Sequence, residues 1–243
     1  MKLKKMILII LAAILFGGVL FFYNAFNGNP ISKLYAKRVL DQHLEDAYPD
    51  ANFSINDGFY NFKDGSYNFD VTELGEVEEY DQPNTYDMSV RGFWKPEVRF
   101  DGIYNDSLDE SLMKKMSYFA ETELLEVLWA SVPSVKTISV RIEIQKGDFG
   151  DDVEWDKDLQ FTKPMGMHIH LDATDHDEAA VLRDAQMIQE TLNTEGYNYE
   201  SVTINGNTFG QEYKDDGMGP LRFSASFTPD TQITLKDIET IEQ

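Results

Sequence analysis

Hydrophobic positions fall along this chain in three successive patterns, and each predicts a different kind of element. Residues 6–26, MILIILAAILFGGVLFFYNAF, are an almost unbroken apolar run, long enough as a helix to cross a hydrocarbon core of about 30 Å. From Ile31 to Ala47 the apolar residues return at helical spacing, with Leu34, Val39, Leu40, Leu44 and Ala47 close to one face. Asn29 suits the N-cap, Pro30 suits the first turn, and Pro49 cannot continue the helix. The pattern then changes to a period of two. ANFSINDGFYNFKDGSYNFDVT, residues 51–72, holds two alternating runs joined by KDGS, where Asp64-Gly65 offers the positive φ of a tight hairpin. Tyr86, Met88 and Val90 alternate with Asp87, Ser89 and Arg91, and PEVRFDGIY follows. Residues 28–104 are therefore expected to form a helix on a four-stranded antiparallel sheet.

The second half repeats the change of period. Ser107 with Glu110 has the spacing of a capping box. Leu108, Leu112, Met116, Phe119, Leu124 and Val127 trace the stripe that follows, up to Pro133. Next, Ile138, Val140, Ile142 and Ile144 alternate with Ser139, Arg141, Glu143 and Gln145, and Met167, Ile169 and Leu171 alternate with His168, His170 and Asp172. A helix is expected after a cap at Thr174 or Asp175, with Val181, Ala185, Ile188 and Leu192 inward and Gly196 as its stop. ESVTIN and LRFSASF read as two last strands. The order over residues 105–243 is α-β-β-α-β-β, which predicts both helices on one face of a shared antiparallel sheet. The class is α+β: a transmembrane helix, then two small two-layer α/antiparallel-β domains. On the second sheet the opposite face would be polar and carry Arg141, Glu143, His168, His170, Asp172, Arg222, Ser224 and Ser226, a credible docking surface.

One stretch also carries a family resemblance. GNPISKLYAKRVLDQHLEDAYPDANFSINDGFYNFKDGSYNFDVT, residues 28–72, directly after a single apolar run, resembles the YfjL-like proteins of Bacillus and related Gram-positive bacteria. That resemblance implies a membrane-anchored, extracytoplasmic protein. It carries over no catalytic residue.

Charge sharpens the placement. MKLKK puts three cations before the apolar run, so the positive-inside rule keeps this tip in the cytoplasm and sends the C-terminal domains outside as a single-pass protein. Residues 1–27 are then tip and anchor. A cleaved signal peptide has a similar outline, but YNAFNGN lacks a small-x-small cleavage site. With no cysteine in the chain, a lipid-modified cysteine and disulfides are both excluded. Setting aside Lys2, Lys4 and Lys5 leaves 18 basic against 43 acidic residues, a net charge of about −25 that repels nucleic acid.

Candidate chemistry is sparse. MGMHIHLDATDHDE, residues 165–178, holds three of the four histidines. Strand period places His168, His170 and Asp172 on one face, so these three with His176 are the candidate transition-metal ligands. His-x-His-x-Asp opens the signature of metallo-β-lactamase-type hydrolases, but Ala173 stands where that signature needs another histidine. Residues 146–164, KGDFGDDVEWDKDLQFTKP, offer carboxylates at 148, 151, 152, 154, 156 and 158 that suit Ca²⁺ or Mg²⁺. The window from Asp152 lacks the glycine and glutamate of an EF-hand. There is no Gly-x-Ser-x-Gly elbow, no phosphate-cradling glycine loop and no His-Glu-x-x-His. The expectation is a non-enzymatic, cofactor-free, membrane-anchored protein that binds a protein or peptide partner or senses a cell-surface signal. Divalent-metal binding and an envelope hydrolase are the alternatives.

Overall fold

The computed structural model describes residues 2–75, 83–92, 95–150, 152–210 and 217–241. The chain divides into two compact units, Met1–Asp106 and Ser107–Gln243.

The first unit opens with α1 (Lys2–Asn27), which is exposed along its apolar length. It contains an 18-residue window of mean hydropathy 2.7. Among the described residues this is the one stretch long and apolar enough to cross a membrane. The helix stops at Gly28, whose φ of 72° is left-handed and whose N–H donates to the Asn24 carbonyl at 2.9 Å. At once α2 (Pro30–Ala47) begins, with the Asn29 side chain accepting from the Ile31 N–H at 2.8 Å as expected. Its buried stripe is Ala36, Leu40 and Leu44. Leu34, expected inside, is exposed, and so is Ala47. Leu34 lies about a third of a turn from the centre of this narrow stripe, whereas Ala47 is in line with it but is the last residue of the helix.

That sheet has five strands rather than four: β1 (Asn52–Ile55), β2 (Phe59–Asn61), β3 (Ser66–Leu74), β4 (Thr85–Arg91) and β5 (Glu97–Asp101). The expected first strand is split, because β1 and β2 both pair with β3, one after the other along its length. Between them the chain passes close against β3 at Gly58, where a Cβ would stand 2.3 Å from the Asn68 carbonyl oxygen. The 59–74 hairpin turns through Gly65, with φ 71°. Tyr67, Phe69, Val71, Met88 and Val90 meet the α2 stripe in one apolar core. A short helix, α3 (Gly102–Asp106), ends the unit.

In the second unit α4 (Glu110–Ser131) is capped by Asp109, whose carboxylate accepts from the Leu112 N–H at 3.0 Å. Ser107 and Leu108 lie before the helix, and Leu108 bridges to Gln145. The expected capping box thus starts two residues early. The inward residues are Leu112, Met116, Ala120, Leu124 and Leu128; Phe119 is exposed. Strands β6 (Val135–Arg141), β7 (Met165–Asp172), β8 (Tyr199–Phe209), β9 (Met218–Phe227) and β10 (Glu239–Thr240) form one sheet in the order β10-β9-β8-β7-β6. Between β7 and β8 runs α5 (Glu178–Glu195), which begins at an Asp177 cap rather than at Thr174 or Asp175 and ends at Gly196, φ 81°. Val181, Ala185, Ile188 and Leu192 are its buried residues, as their spacing predicts.

The second sheet departs from expectation in having a fifth strand, β10, and in the β7–β8 pair, which is parallel while all its other pairs are antiparallel. The 18-residue α5 is the cause of the parallel pair. A helical crossover returns the chain to the end from which it left, so the next strand must run in the same direction.

Candidate functional site

Strand β7 alternates without a fault. Met165, Met167, Ile169 and Leu171 are buried in the core, while Gly166, His168, His170 and Asp172 lie on the other face. Register extends that face into polar rows across the sheet. Ser139, His168, Thr203 and Ser226 stand side by side on β6 to β9, and Thr137, His170, Asn205 and Ser224 form the next row. A third row begins with Arg141, Gly166 and Ser201. Because Gly166 has no side chain, the face dips there into a groove of about 390 Å³ lined by Arg141, His168, Ser139, Ser201 and Thr203.

The imidazoles of His168 and His170 stack in this face with centroids 4.8 Å apart. His170 Nδ1 lies 3.1 Å from Asn207 Oδ1, and Asn207 Nδ2 donates to the Gly219 carbonyl at 3.0 Å. His168 has no such tie. Its Nε2 is shielded from solvent and has no hydrogen-bond partner. Burial first, and then the charge of neighbouring His170, hold the His168 imidazole below its usual range. Arg141 stands over Gly166, with Nη2 3.8 Å from Glu200 and Nε 4.0 Å from Glu143. Glu143 also pairs with Lys163 at 2.6 Å.

The four proposed metal ligands do not converge. Asp172 sits 3.5 Å from Lys136 and accepts the Thr174 hydroxyl at 2.7 Å. Burial opposes its charge, but the Thr174 donors and Lys136 outweigh that and hold the carboxyl below its usual range. His176 turns to α5, where Nε2 lies 3.1 Å from Asp184 Oδ2, an oxygen that also accepts the Ser134 hydroxyl at 2.5 Å. Among the described residues no three His, Asp or Glu side chains gather as a metal site. Arg222, expected on the docking face, is spent locally: Nη1 donates to the carbonyls of Ala173 and, at 2.7 Å, Thr174. That guanidinium pins the loop between β7 and α5.

The described residues of the acidic stretch 146–164 are tied to the body of the second unit. Phe149, Val153, Trp155, Leu159 and Phe161 pack on the core, with Trp155 stacked on Phe161 and its Nε1 donating to Glu123 at 3.0 Å. Lys115 donates to the Val153 carbonyl at 2.8 Å, which fastens the segment to α4. Asp148 accepts the Gln145 N–H, and Asp156 accepts the Asp158 N–H. Asp151 lies outside the described residues.

Two groupings were missed from sequence because their members are far apart in the chain. In the first unit Asp101 Oδ2 takes both His43 Nε2 at 2.7 Å and the Tyr48 hydroxyl at 2.9 Å, while Oδ1 accepts the Tyr104 N–H at 3.0 Å. Burial, then the bond to Asp101, drives the Tyr48 hydroxyl well above its usual range. This carboxylate is a structural latch between the end of α2, β5 and α3. Where α1 meets α2, a cleft of about 420 Å³ is lined by Phe21, Ser32, Tyr60, Asp64, Tyr67 and Arg91 among others.

The sequence matches known proteins over nearly its whole length. Residues 3–102 match the YfjL-like N-terminal domain, and residues 120–242 match the YfjL-like C-terminal domain. YfjL of Bacillus subtilis is 31% identical over 238 residues, spanning 98% of this chain and 99% of that protein. A crystal structure of a DUF5037 family protein from Ruminococcus gnavus aligns over 82% of this chain and 95% of its own, at 10% identity and a TM-score of 0.26. With both domain models in chain order and a full-length relative, this chain belongs to the YfjL-like family.

Proposed function

We propose that this chain is a membrane-anchored binding protein without catalytic activity, held by α1 with its basic tip in the cytoplasm and both domains outside. It engages a polar peptide segment of a partner protein on the open face of the second sheet.

The observation that carries this reading is the polar set gathered around Gly166. The guanidinium of Arg141, held only at 3.8 and 4.0 Å by Glu200 and Glu143, borders one shallow groove on the sheet with the hydroxyls of Ser139, Ser201 and Thr203 and the His168 ring. A groove of that shape and polarity suits main-chain carbonyls and a carboxylate. Arg141 cannot act as a base, and His168, the one imidazole in the lining, has its Nε2 shielded from solvent and hydrogen-bonded to none of the three hydroxyls, so no nucleophile and base are paired here. Sites on sheets are also held more precisely than sites on loops.

Photo-crosslinking tests it. A photoreactive residue at Ser201 in the full-length protein, irradiated in intact cells, should yield one discrete adduct that disappears with Arg141→Glu. The same residue placed at exposed Lys136 should not yield it. Equal labelling from both positions, or an adduct indifferent to Arg141→Glu, would refute the groove as the binding site.

A further inference from the structure

We infer that the β2–β3 hairpin is a second membrane contact, which seats Phe59 and Phe62 in the lipid interface of the leaflet from which α1 emerges. This inference rests on the reading of α1 as a membrane span. Residues 6–26 as a helix are about 30 Å long, so Phe26 lies where hydrocarbon gives way to headgroups.

The hairpin is tied to that level. The ring of Phe62 meets the ring of Phe26 edge-on, with centroids 5.3 Å apart. Gly28 lies directly beneath the hairpin: a Cβ there would stand 2.6 Å from the Tyr67 hydroxyl and 2.7 Å from the Tyr60 ring. Tyr67 then grips the next residue twice, accepting from the Asn29 N–H at 2.7 Å and donating to the Asn29 carbonyl at 2.9 Å. Wherever the end of α1 sits, the hairpin sits with it.

Its composition fits the interface rather than water. Phe59 is 62% exposed and Phe62 53% exposed, although each belongs to a folded hairpin that buries Tyr67. Exposed aromatics on an edge strand invite association in water, whereas rings at headgroup depth match the aromatic belts of membrane proteins. The cleft at the α1–α2 joint opens at the same level. Phe21 and Ala25 form its helical wall, Tyr60 and Tyr67 its hairpin wall, and Arg91 with Asp64 its polar rim. Lipid is therefore its natural occupant, with a phospholipid phosphate beside Arg91. Since Arg91 and Asp64 balance each other and the chain as a whole is acidic, the contact is apolar and aromatic and does not require anionic lipid.

The absence of cysteine allows a clean test on the full chain. Phe62→Cys, Val19→Cys and Ser226→Cys each receive one environment-sensitive fluorophore and are reconstituted in phosphatidylcholine vesicles. The label at 62 should be quenched by phosphatidylcholine bearing a nitroxide near its headgroup. Its quenching by aqueous iodide should be several-fold weaker than at 226. Phe59→Cys repeats the reading at a second exposed position, so local damage at one label does not decide the outcome. Iodide access at 59 and 62 equal to that at 226, with the label at 19 still quenched by lipid nitroxides, would overturn the inference and leave the anchor standing. Escape of the label at 19 from lipid quenchers would remove the anchor, and the inference with it.

Discussion

The rings of His168 and His170 stack 4.8 Å apart at an interplanar angle of 19°, on the uncovered face of the sheet in their unit. Burial disfavours the charge on His168, and repulsion from a charged His170 at that spacing adds to the effect. The folded His168 pKa therefore lies below the unfolded value of about 6.5. Between those two values the unfolded chain binds the proton and the folded chain does not, so stability rises with pH across the window. It is lost as pH falls from about 6.5 toward the folded pKa. Asp172 also has a lowered pKa, but its contribution is lost only below the ordinary aspartate value of 3.8 and does not overlap this window. Thermal unfolding of the second domain should thus drop between pH 7 and pH 5, and His168→Gln should flatten the slope. An unchanged slope in the variant would contradict the assignment.

Asp101 supports three donors from different elements, so its removal should loosen the first unit specifically. Asp101→Ala should cost about 2–4 kcal/mol, since a partly buried carboxylate with several hydrogen bonds is lost and the Tyr48 hydroxyl is left without its acceptor. Urea unfolding followed by a probe in the first unit measures this. A loss within a few tenths of a kcal/mol would show that the latch carries no load.

Gly28 and Gly196 both have positive φ, 72° and 81°, yet their surroundings differ. No atom stands within 4 Å of a Cβ at Gly196, so Gly196→Ala should cost only the left-handed strain, about 1 kcal/mol. Gly28→Ala adds a clash with Tyr60 and Tyr67 and should cost at least 2 kcal/mol more. Similar values from denaturant unfolding of the two variants would mean that the hairpin does not hold the α1–α2 joint closely.

Among the described residues, no three His, Asp or Glu side chains of the histidine strand or the acidic segment gather as a metal site. Zn²⁺ or Ca²⁺ at concentrations far above a micromolar dissociation constant would add roughly 3–4 kcal/mol of stability if a site of that affinity existed. Calorimetric unfolding should move by much less. A shift of several degrees with Zn²⁺, abolished by His168→Ala, would restore the metal reading.

Much of the fold is legible from residue order. Three helices and most strands follow from apolar period, and the Asn29-Pro30 start and the Gly196 stop follow from local backbone chemistry. The buried set of α5 is the one its spacing predicts because a single amphipathic stripe admits one packing face. The parallel β7–β8 pair was not legible, since alternation marks a strand's faces but not its direction. The caps of α4 and α5 lie two or three residues later than expected because several acids and hydroxyls compete near each start, and Asp109 and Asp177 prevail through geometry that composition does not encode. The shared polar face could be read from β7 alone. The dispersal of Asp172 and His176 could not, because their partners Lys136 and Asp184 come from elsewhere in the chain. The Asp101 latch joins residues 53 and 58 positions apart, beyond the reach of any local pattern.

The central claim is that α1 remains in the bilayer and holds both domains on the outer side. The cysteine-free chain permits one decisive measurement: a single cysteine at exposed Ser226, treated in intact cells with a membrane-impermeant maleimide. The account predicts full labelling of a protein that stays in the membrane fraction at its uncleaved mass. Labelling only after the cells are broken would contradict it.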